Sequence, residues 1–470
     1  MKSRKVLGLI VALTMMTGAF AGCGSNSAST DSSTAAESTT AAVSSAAAGT
    51  EAQTKGGEIY YLNFKPEIAE VYNEISKVYE EETGVKLKVV TAASGTYEQT
   101  LKSEIEKSDA PTLFQINGPK GYANWKDYCA DLKDSELYKH LTDKNLAVTV
   151  DGGVYGIPYV VEGYGIIYNN AIMNKYFALA NKATDVKSVD EINNFAKLKA
   201  VVEDMTKNKD ALGIKGVFAS TSLKPGEDWR WQTHLANVPV FYEFKNNNVD
   251  LTGDATKTIN FQYAENYKNI FDLYLNNSTV SPKILGTKQV ADSMAEFALG
   301  QAAMVQNGNW AWGQISSVEG NVVKPEDIKF MPIYTGIAGE ETQGLCSGTE
   351  NFFSINKKAD PDKQKLALDF IYWLYSSEKG KDFVTNKLGF IAPFDTFGDN
   401  EKPSDPLAKE VLSWMGKQGS TNVAWNFTVF PNQTFKDNFG AALLQYAQGK
   451  KNWDDVKTQV VNDWKTESSK

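Results

Sequence analysis

The chain has 470 residues, 42% hydrophobic and 11% aromatic, ample for a large core and too long for one compact domain, so two domains or lobes are expected. Its formal charge is −9, and Lys2, Arg4 and Lys5 stand at the start, so the remainder is more acidic still, which argues against nucleic acid or an anionic membrane surface as partner. Only two histidines are present, His140 and His234, so a histidine-rich zinc site is not available, and no metal or other cofactor is expected.

Lys2, Arg4 and Lys5 precede an apolar run from Val6 to Phe20, and small residues follow, the pattern of a secretory signal over residues 1–22. Gly8, Thr14, Thr17 and Gly18 break the run, which is short for a membrane span. The ending Ala21-Gly22-Cys23 resembles the lipobox of bacterial lipoproteins, which implies lipidation of Cys23 and a lipid anchor on the extracellular face of the cell membrane. From Gly24 to Gly57 the chain is mostly Ser, Thr, Ala and Gly, a tether with little to bury and a reach of about 30 Å.

The folded part begins at Glu58. Ile59–Phe64 reads as a strand, followed by a helix with Pro66 in its first turn and an apolar stripe of Ile68, Val71, Ile75 and Val78. Val85–Val90 and Thr112–Ile116 read as further strands, with a helix from Tyr97 to Lys107 between them. Strands alternating with helices imply a doubly wound α/β lobe, whose ligands bind beyond the carboxyl ends of the strands. That singles out Asn63 to Lys65, the Ser94–Tyr97 loop and Asn117 to Lys120.

In the strand pattern from Val160 to Asn169, Glu162 and Tyr164 interrupt an apolar run among glycines. A carboxylate there is costly to bury without partners, so Glu162 either accepts hydrogen bonds from ligand hydroxyls or pairs with a lysine. Residues 170–330 read as a second α/β lobe. Within it, Val217–Ala219 leads to Gly226-Glu227-Asp228-Trp229-Arg230-Trp231. Trp229 is the better ligand candidate, Trp231 is either ligand or core, and Glu227 and Asp228 are not separable as ligand acids.

Gln289 to Ile315 reads as helix, turn, buried strand and new helix, with Val290, Met294 and Phe297 on one face. Asn309 can cap the new helix, which carries Trp310 and Trp312. Residues two apart on a helix point in different directions, so Trp310 is assigned to a ligand and Trp312 to packing. An indole at such a mouth offers a flat apolar face and one N–H, which suits a sugar ring. Pro361–Tyr375 is a long helix with Trp373 on its core face, and Trp425 lies in an Asn-rich loop where it can line a site.

Four stretches carry a resemblance: VYEEETGVKLKVV (78–90), DGGVYGIPYVVEGYGIIYNNAIM (151–173), FALGQAAMVQNGNWAWG (297–313) and the late YAQGK (446–450). They resemble the extracellular solute-binding proteins of ABC importers, in the carbohydrate branch that includes maltose-binding protein, and the lipobox and tether fit the Gram-positive form. The resemblance implies a two-lobed periplasmic-binding-protein-like α/β fold of type II, with ligand in the cleft. One lobe would hold 58–162 with 332–393 and the other 163–331 with 394–470, with crossings near Val160–Gly165, Phe330–Tyr334 and Ile391–Phe397. It implies a monomeric receptor for an oligosaccharide, α-linked gluco-oligosaccharides first and raffinose-type α-galactosides second, delivered to an ABC permease. Glu162 matches a sugar-contacting carboxylate and Trp310 a stacking tryptophan, and the Glu227–Trp229 segment falls where an acidic and an aromatic contact lie. The first lobe departs from the relative, with Asn63-Phe64-Lys65-Pro66 and Asn117-Gly118-Pro119-Lys120 where the relative has Asp-Lys and Asp-Arg.

The expected site is therefore Asn63, Lys65, Asn117, Glu162, Tyr164, Asp228, Trp229, Trp231, Trp310 and Trp425, with no catalytic residue. A secreted glycoside-active enzyme would need two carboxylates facing each other across the bond, and no G-x-S-x-G, HExxH or Walker A motif is present. A peptide or metal chelate is the other alternative cargo, but tryptophan and carboxylate without a basic pocket favour a neutral sugar. Cys129 and Cys346, both expected in the first lobe, are read as buried free thiols.

Overall fold

The computed structural model describes residues 56–251, 253–349, 351–398, 400–426 and 429–469. The signal segment, Cys23 and nearly all of the tether lie outside the described residues. Twelve strands are named among those described: β1 (Glu58–Asn63), β2 (Lys86–Thr91), β3 (Leu113–Ile116), β4 (Val148–Val150), β5 (Gly153–Pro158), β6 (Glu162–Asn169), β7 (Gly216–Phe218), β8 (Ala302–Gly308), β9 (Ile328–Met331), β10 (Gln343–Gly348), β11 (Phe352–Ile355) and β12 (Thr421–Ala424). They form two sheets, β2-β1-β3-β11-β5-β4 and β12-β10-β6-β8-β7, with β9 also pairing with β6.

Each sheet carries its own core. In the first, β1 pairs in parallel with β2 and β3, while β11 enters antiparallel beside β3. The helix Ala69–Thr83 packs on this sheet, but through Tyr72, Ile75 and Tyr79. Val71 and Val78 are only partly buried against the cluster. The larger rings of Tyr72 and Tyr79 take the places expected of the two valines, while Ile68 and Ile75 are buried as expected. In the second sheet β6 alternates as a strand buried on both faces must, with Ile166 and Tyr168 in one cluster and Ile167 in the other.

The main chain passes between the sheets from β5 to β6, from β10 to β11, and again before β12. The expected crossing near Phe330–Tyr334 is displaced, because β9 and β10 both pair with β6 and keep that segment in the second sheet. The same pairing corrects the placement of Cys346, which sits opposite Tyr164 in the second sheet. Cys129 bridges Asn356 beside the first sheet, and both cysteines are buried free thiols. No described helix is long and apolar enough to cross a membrane.

Candidate functional site

A cleft of about 1140 Å³ opens between the two sheets. Its first wall comes from the carboxyl ends of three parallel strands: Phe64 to Glu67 after β1, Ala93 to Gly95 with Tyr97 and Glu98 after β2, and Asn117, Lys120 and Trp125 after β3. These are the loops that the doubly wound pattern singled out. The second wall comes from Gly226 to Trp229, Gln232 to His234, Trp310 and the segment Phe430 to Thr434 with Lys436.

The floor is aromatic. The rings of Trp229 and Trp310 lie 6.0 Å apart at 52°, and His234 meets them edge-on at 5.0 and 5.5 Å. Gly308 makes this possible, since a Cβ there would lie 2.2 Å from the Trp310 ring. Trp229 is steadied from behind by Arg230, whose guanidinium carbon lies 5.8 Å from the ring centroids of both Trp229 and Trp231. Arg230 is 1% exposed and donates from Nη2 to Ser222 Oγ and to Ser293 Oγ. Burial lowers its pKa to about 10, and burial lowers that of His234 to about 3, so the imidazole is neutral.

Of the ten expected residues, Lys65, Asn117, Asp228, Trp229 and Trp310 line the cleft. Asn63 does not. It is 1% exposed and organises the turn below, accepting from Lys65 N at 3.2 Å and donating from Nδ2 to Lys65 O at 2.8 Å. Glu162 lies beneath Lys65, with Nζ to Oε1 at 2.9 Å, so the lysine partner is the reading the structure takes. Burial raises the Glu162 pKa, and the Lys65 charge pulls it back. Tyr164 and Trp425 form a layer behind the floor, each ring 6.5 Å from Trp310, with the Tyr164 hydroxyl donating to His234 O at 2.9 Å. Trp231 is core: its indole N–H donates to Ser222 O at 3.0 Å and its ring packs on Phe271 and Tyr274.

Asn309 does not cap the following helix, Ala311–Ser316. Its Oδ1 instead accepts from Gly163 N at 2.9 Å and its N–H donates to Gly163 O at 3.0 Å, tying the end of β8 to the start of β6. Trp312 packs on an apolar cluster, as its position two residues beyond Trp310 implies.

Glu98, Lys102, Trp125 and Lys436 line the cleft without a local signal in the sequence. Glu98 accepts the Trp125 indole N–H at 3.0 Å, and burial raises its pKa. Asp228 is 4% exposed, and burial raises its pKa to about 7, with Asp437 and Glu227 adding to the rise. Lys102, Lys120 and Lys436 join Lys65 around the cleft, so the expectation of a site without basic groups does not hold. The walls touch at the mouth, where Ser94 Oγ donates to Gly226 O at 3.1 Å. A Cβ on Gly95 would lie 3.0 Å from Gly226 Cα. No cluster of three or more metal-ligating side chains occurs among the described residues.

Comparison with known proteins places this geometry. The family model for bacterial extracellular solute-binding proteins matches residues 74–412, more than half of the chain. RafE in complex with raffinose is similar at a TM-score of 0.65 and 17% identity, over 87% of this chain and 99% of that one. Maltose-bound MalE3 of T. maritima is similar at 0.63 and 17%, over 87% and 99%. A sugar transporter protein of Bacillus licheniformis in complex with stachyose is similar at 0.62 and 16%, over 88% and 99%. At these identities the likeness establishes the two-lobed periplasmic-binding-protein-like fold. No curated protein matches the sequence.

Proposed function

The chain belongs to the bacterial extracellular solute-binding proteins, a family of binders and not of enzymes, and from that premise we propose that it captures an oligosaccharide and delivers it to an ABC importer. The observation that carries this reading is the floor of Trp229, Trp310 and His234. Tilted indoles in a deep cleft offer apolar faces to the C–H faces of successive sugar rings. The buried carboxylate of Asp228, the half-buried one of Glu98 and the amides of Asn117 and Gln232 supply acceptors and donors for the hydroxyls on the ring edges.

In this reading Glu162 and Tyr164 hold the floor and Lys65 in place, and Trp425 supports them from behind. The proposed lobe boundaries follow the sheets, 58–158 with 352–394 and 162–348 with 406–469. Cargo that touches both walls binds the closed form better and shifts the population toward it. A lipidated Cys23 and the tether would keep this monomeric receptor beside its permease. Solved structures of similar fold hold raffinose, maltose and stachyose, so α-linked gluco-oligosaccharides and raffinose-type α-galactosides are the first neutral sugars to try.

The test is calorimetric titration of the purified protein against neutral and acidic oligosaccharides, small peptides and metal chelates. Saturable binding of a sugar, weakened in Trp310→Ala by about 2 kcal/mol or more as for a buried aromatic anchor, supports the receptor reading. Saturation by a peptide or chelate, with sugars inert, would replace it.

A further inference from the structure

Two helices begin at the cleft from opposite sides. Gly118–Trp125 rises from the first sheet and Gln433–Ala447 from the second lobe, and the cleft is lined by Asn117 and Lys120 of the one and Asn432, Gln433, Thr434 and Lys436 of the other. The N-terminal end of a helix carries partial positive charge and usually attracts an acidic residue. Neither of these helices has an acid in its first turn, and each places a lysine within its first four residues. The helix Gly118–Trp125 also has no side-chain cap. Positive charge is therefore gathered at two helix starts that already carry partial positive charge, although Lys436 also acts on the Glu98 carboxylate, whose pKa burial raises and the lysine charge lowers.

A second observation points the same way independently. Asn351 is 2% exposed, lines the cleft, and holds a positive φ of 56°. Its Nδ2 donor has no acceptor among the described residues. Phe352 pairs with Ile116, so Asn351 and Asn117 follow at the same end of adjacent strands, next to the start of the helix Gly118–Trp125. A buried amide donor beside uncapped helical N–H groups is half of an anion site, and the lysines supply the rest. Burial lowers the Lys120 pKa, and the charges of Lys436 and Lys257 lower it further against a smaller opposing effect of Glu467.

We infer that the cargo is an oligosaccharide bearing an anionic group, as a uronic-acid carboxylate or a phosphate ester provides, seated among Lys120, Lys436, Asn351 Nδ2 and the first amides of the helix Gly118–Trp125. The inference rests on the receptor reading and narrows it. Lys120 and Lys436 come from opposite walls, so one anion that bridges them favours closure. The aromatic floor then stacks the sugar rings, and the anion sets which end of the chain enters first.

The test titrates the full chain with trisaccharides of galacturonic, glucuronic and mannuronic acid, each beside its methyl ester, with a hexose phosphate beside its free sugar, and with inorganic phosphate alone. The expected result is an acid or phosphate ester bound about tenfold or more tighter than its neutral counterpart, since a single charge-assisted hydrogen bond commonly makes that difference. The preference should fall toward unity in Lys120→Gln and, separately, in Lys436→Gln, and should weaken with added salt. Tighter binding of the acids than of the hexose phosphate identifies a carboxylate, and the reverse order, or saturation by inorganic phosphate, identifies a phosphate ester. Saturable binding of a neutral sugar with no gain from its acidic counterpart, in a chain whose affinity both lysine variants leave intact, overturns the inference and leaves the receptor reading standing. Failure of every neutral and acidic sugar to bind overturns both.

Discussion

Lys65 Nζ lies 2.9 Å from Glu162 Oε1, and the two side chains are 5% and 1% exposed. Lys65 follows β1, an inner strand of one sheet, and Glu162 opens the central strand of the other, so a buried ion pair joins the two halves directly beneath the floor. The same ammonium lies 5.2 Å from the Trp310 ring centroid.

Breaking this pair from one side leaves a buried charge without its counter-charge. Lys65→Met should cost about 3–5 kcal/mol of unfolding free energy, whereas Lys65→Met with Glu162→Leu should recover much of that loss. Urea unfolding of the two variants decides it. Equal destabilisation of both would mean that packing, and not the ion pair, is the cause.

Gly308→Ala tests the position of an indole without removing it. The added methyl would stand 2.2 Å from ring carbons of Trp310, so the ring must leave its place above β8. The expected outcome is a loss of affinity comparable to that of Trp310→Ala, about 2 kcal/mol, with a changed near-ultraviolet tryptophan spectrum. Wild-type affinity in Gly308→Ala beside a crippled Trp310→Ala would show that the indole works wherever it lies.

Asp228 gives the stability a pH dependence of known sign. An unfolded aspartate releases its proton near pH 4, whereas the folded chain holds this one to about pH 7. The native state therefore binds more protons across that window, and this group's contribution makes stability fall as pH rises from about 4 to about 7. His234 acts oppositely, since its depressed pKa means that stability is lost as pH falls below about 6.5 toward about 3. The two are separated by difference: wild type minus Asp228→Asn should show the falling contribution alone. Melting curves between pH 4 and 8 that stay parallel for the two proteins would rule it out.

Burial raises the Cys129 thiol to about 11 and the Cys346 thiol to about 12. Thiolate is the reactive form, so neither should react quickly with a disulfide reagent in the folded protein. With Cys23→Ser in the background, counting should give no fast thiols when native and two in denaturant. A mass two hydrogens short without reductant would instead reveal a bridge, and with it a rearranged fold.

Much of this molecule was legible because local pattern and long-range structure agreed. The strands β1, β2 and β3 announce themselves by apolar runs, and the cleft-lining loops follow from where such strands end. Trp310 was readable since it stands just past β8, and Trp229 since it lies in the acidic and aromatic segment that follows β7. Trp231 faces the core on the same short π-helical turn, and nothing in GEDWRW reveals which way that turn winds. Glu98, Trp125 and Lys436 were out of reach for a different reason. They sit on ordinary amphipathic helices, and only the docking of those helices against the sheets turns them toward the cleft. Glu162 shows the opposite case, where the sequence flags an anomalous charge but leaves its partner, ninety-seven residues away, unnamed.

The meeting of Ser94 with Gly226 at the cleft mouth bears on how quickly such a molecule can be emptied. A single hydroxyl hydrogen bond contributes about 1 kcal/mol, and the facing glycines offer no side chains to interlock. At the mouth the fastening is a light one, easily undone by thermal motion, so above the ion pair of Lys65 and Glu162 the dwell time of a passenger depends on its own grip on both walls. A weakly held solute leaves at once, while one that spans the walls stays, and discrimination becomes a matter of lifetime as much as of fit.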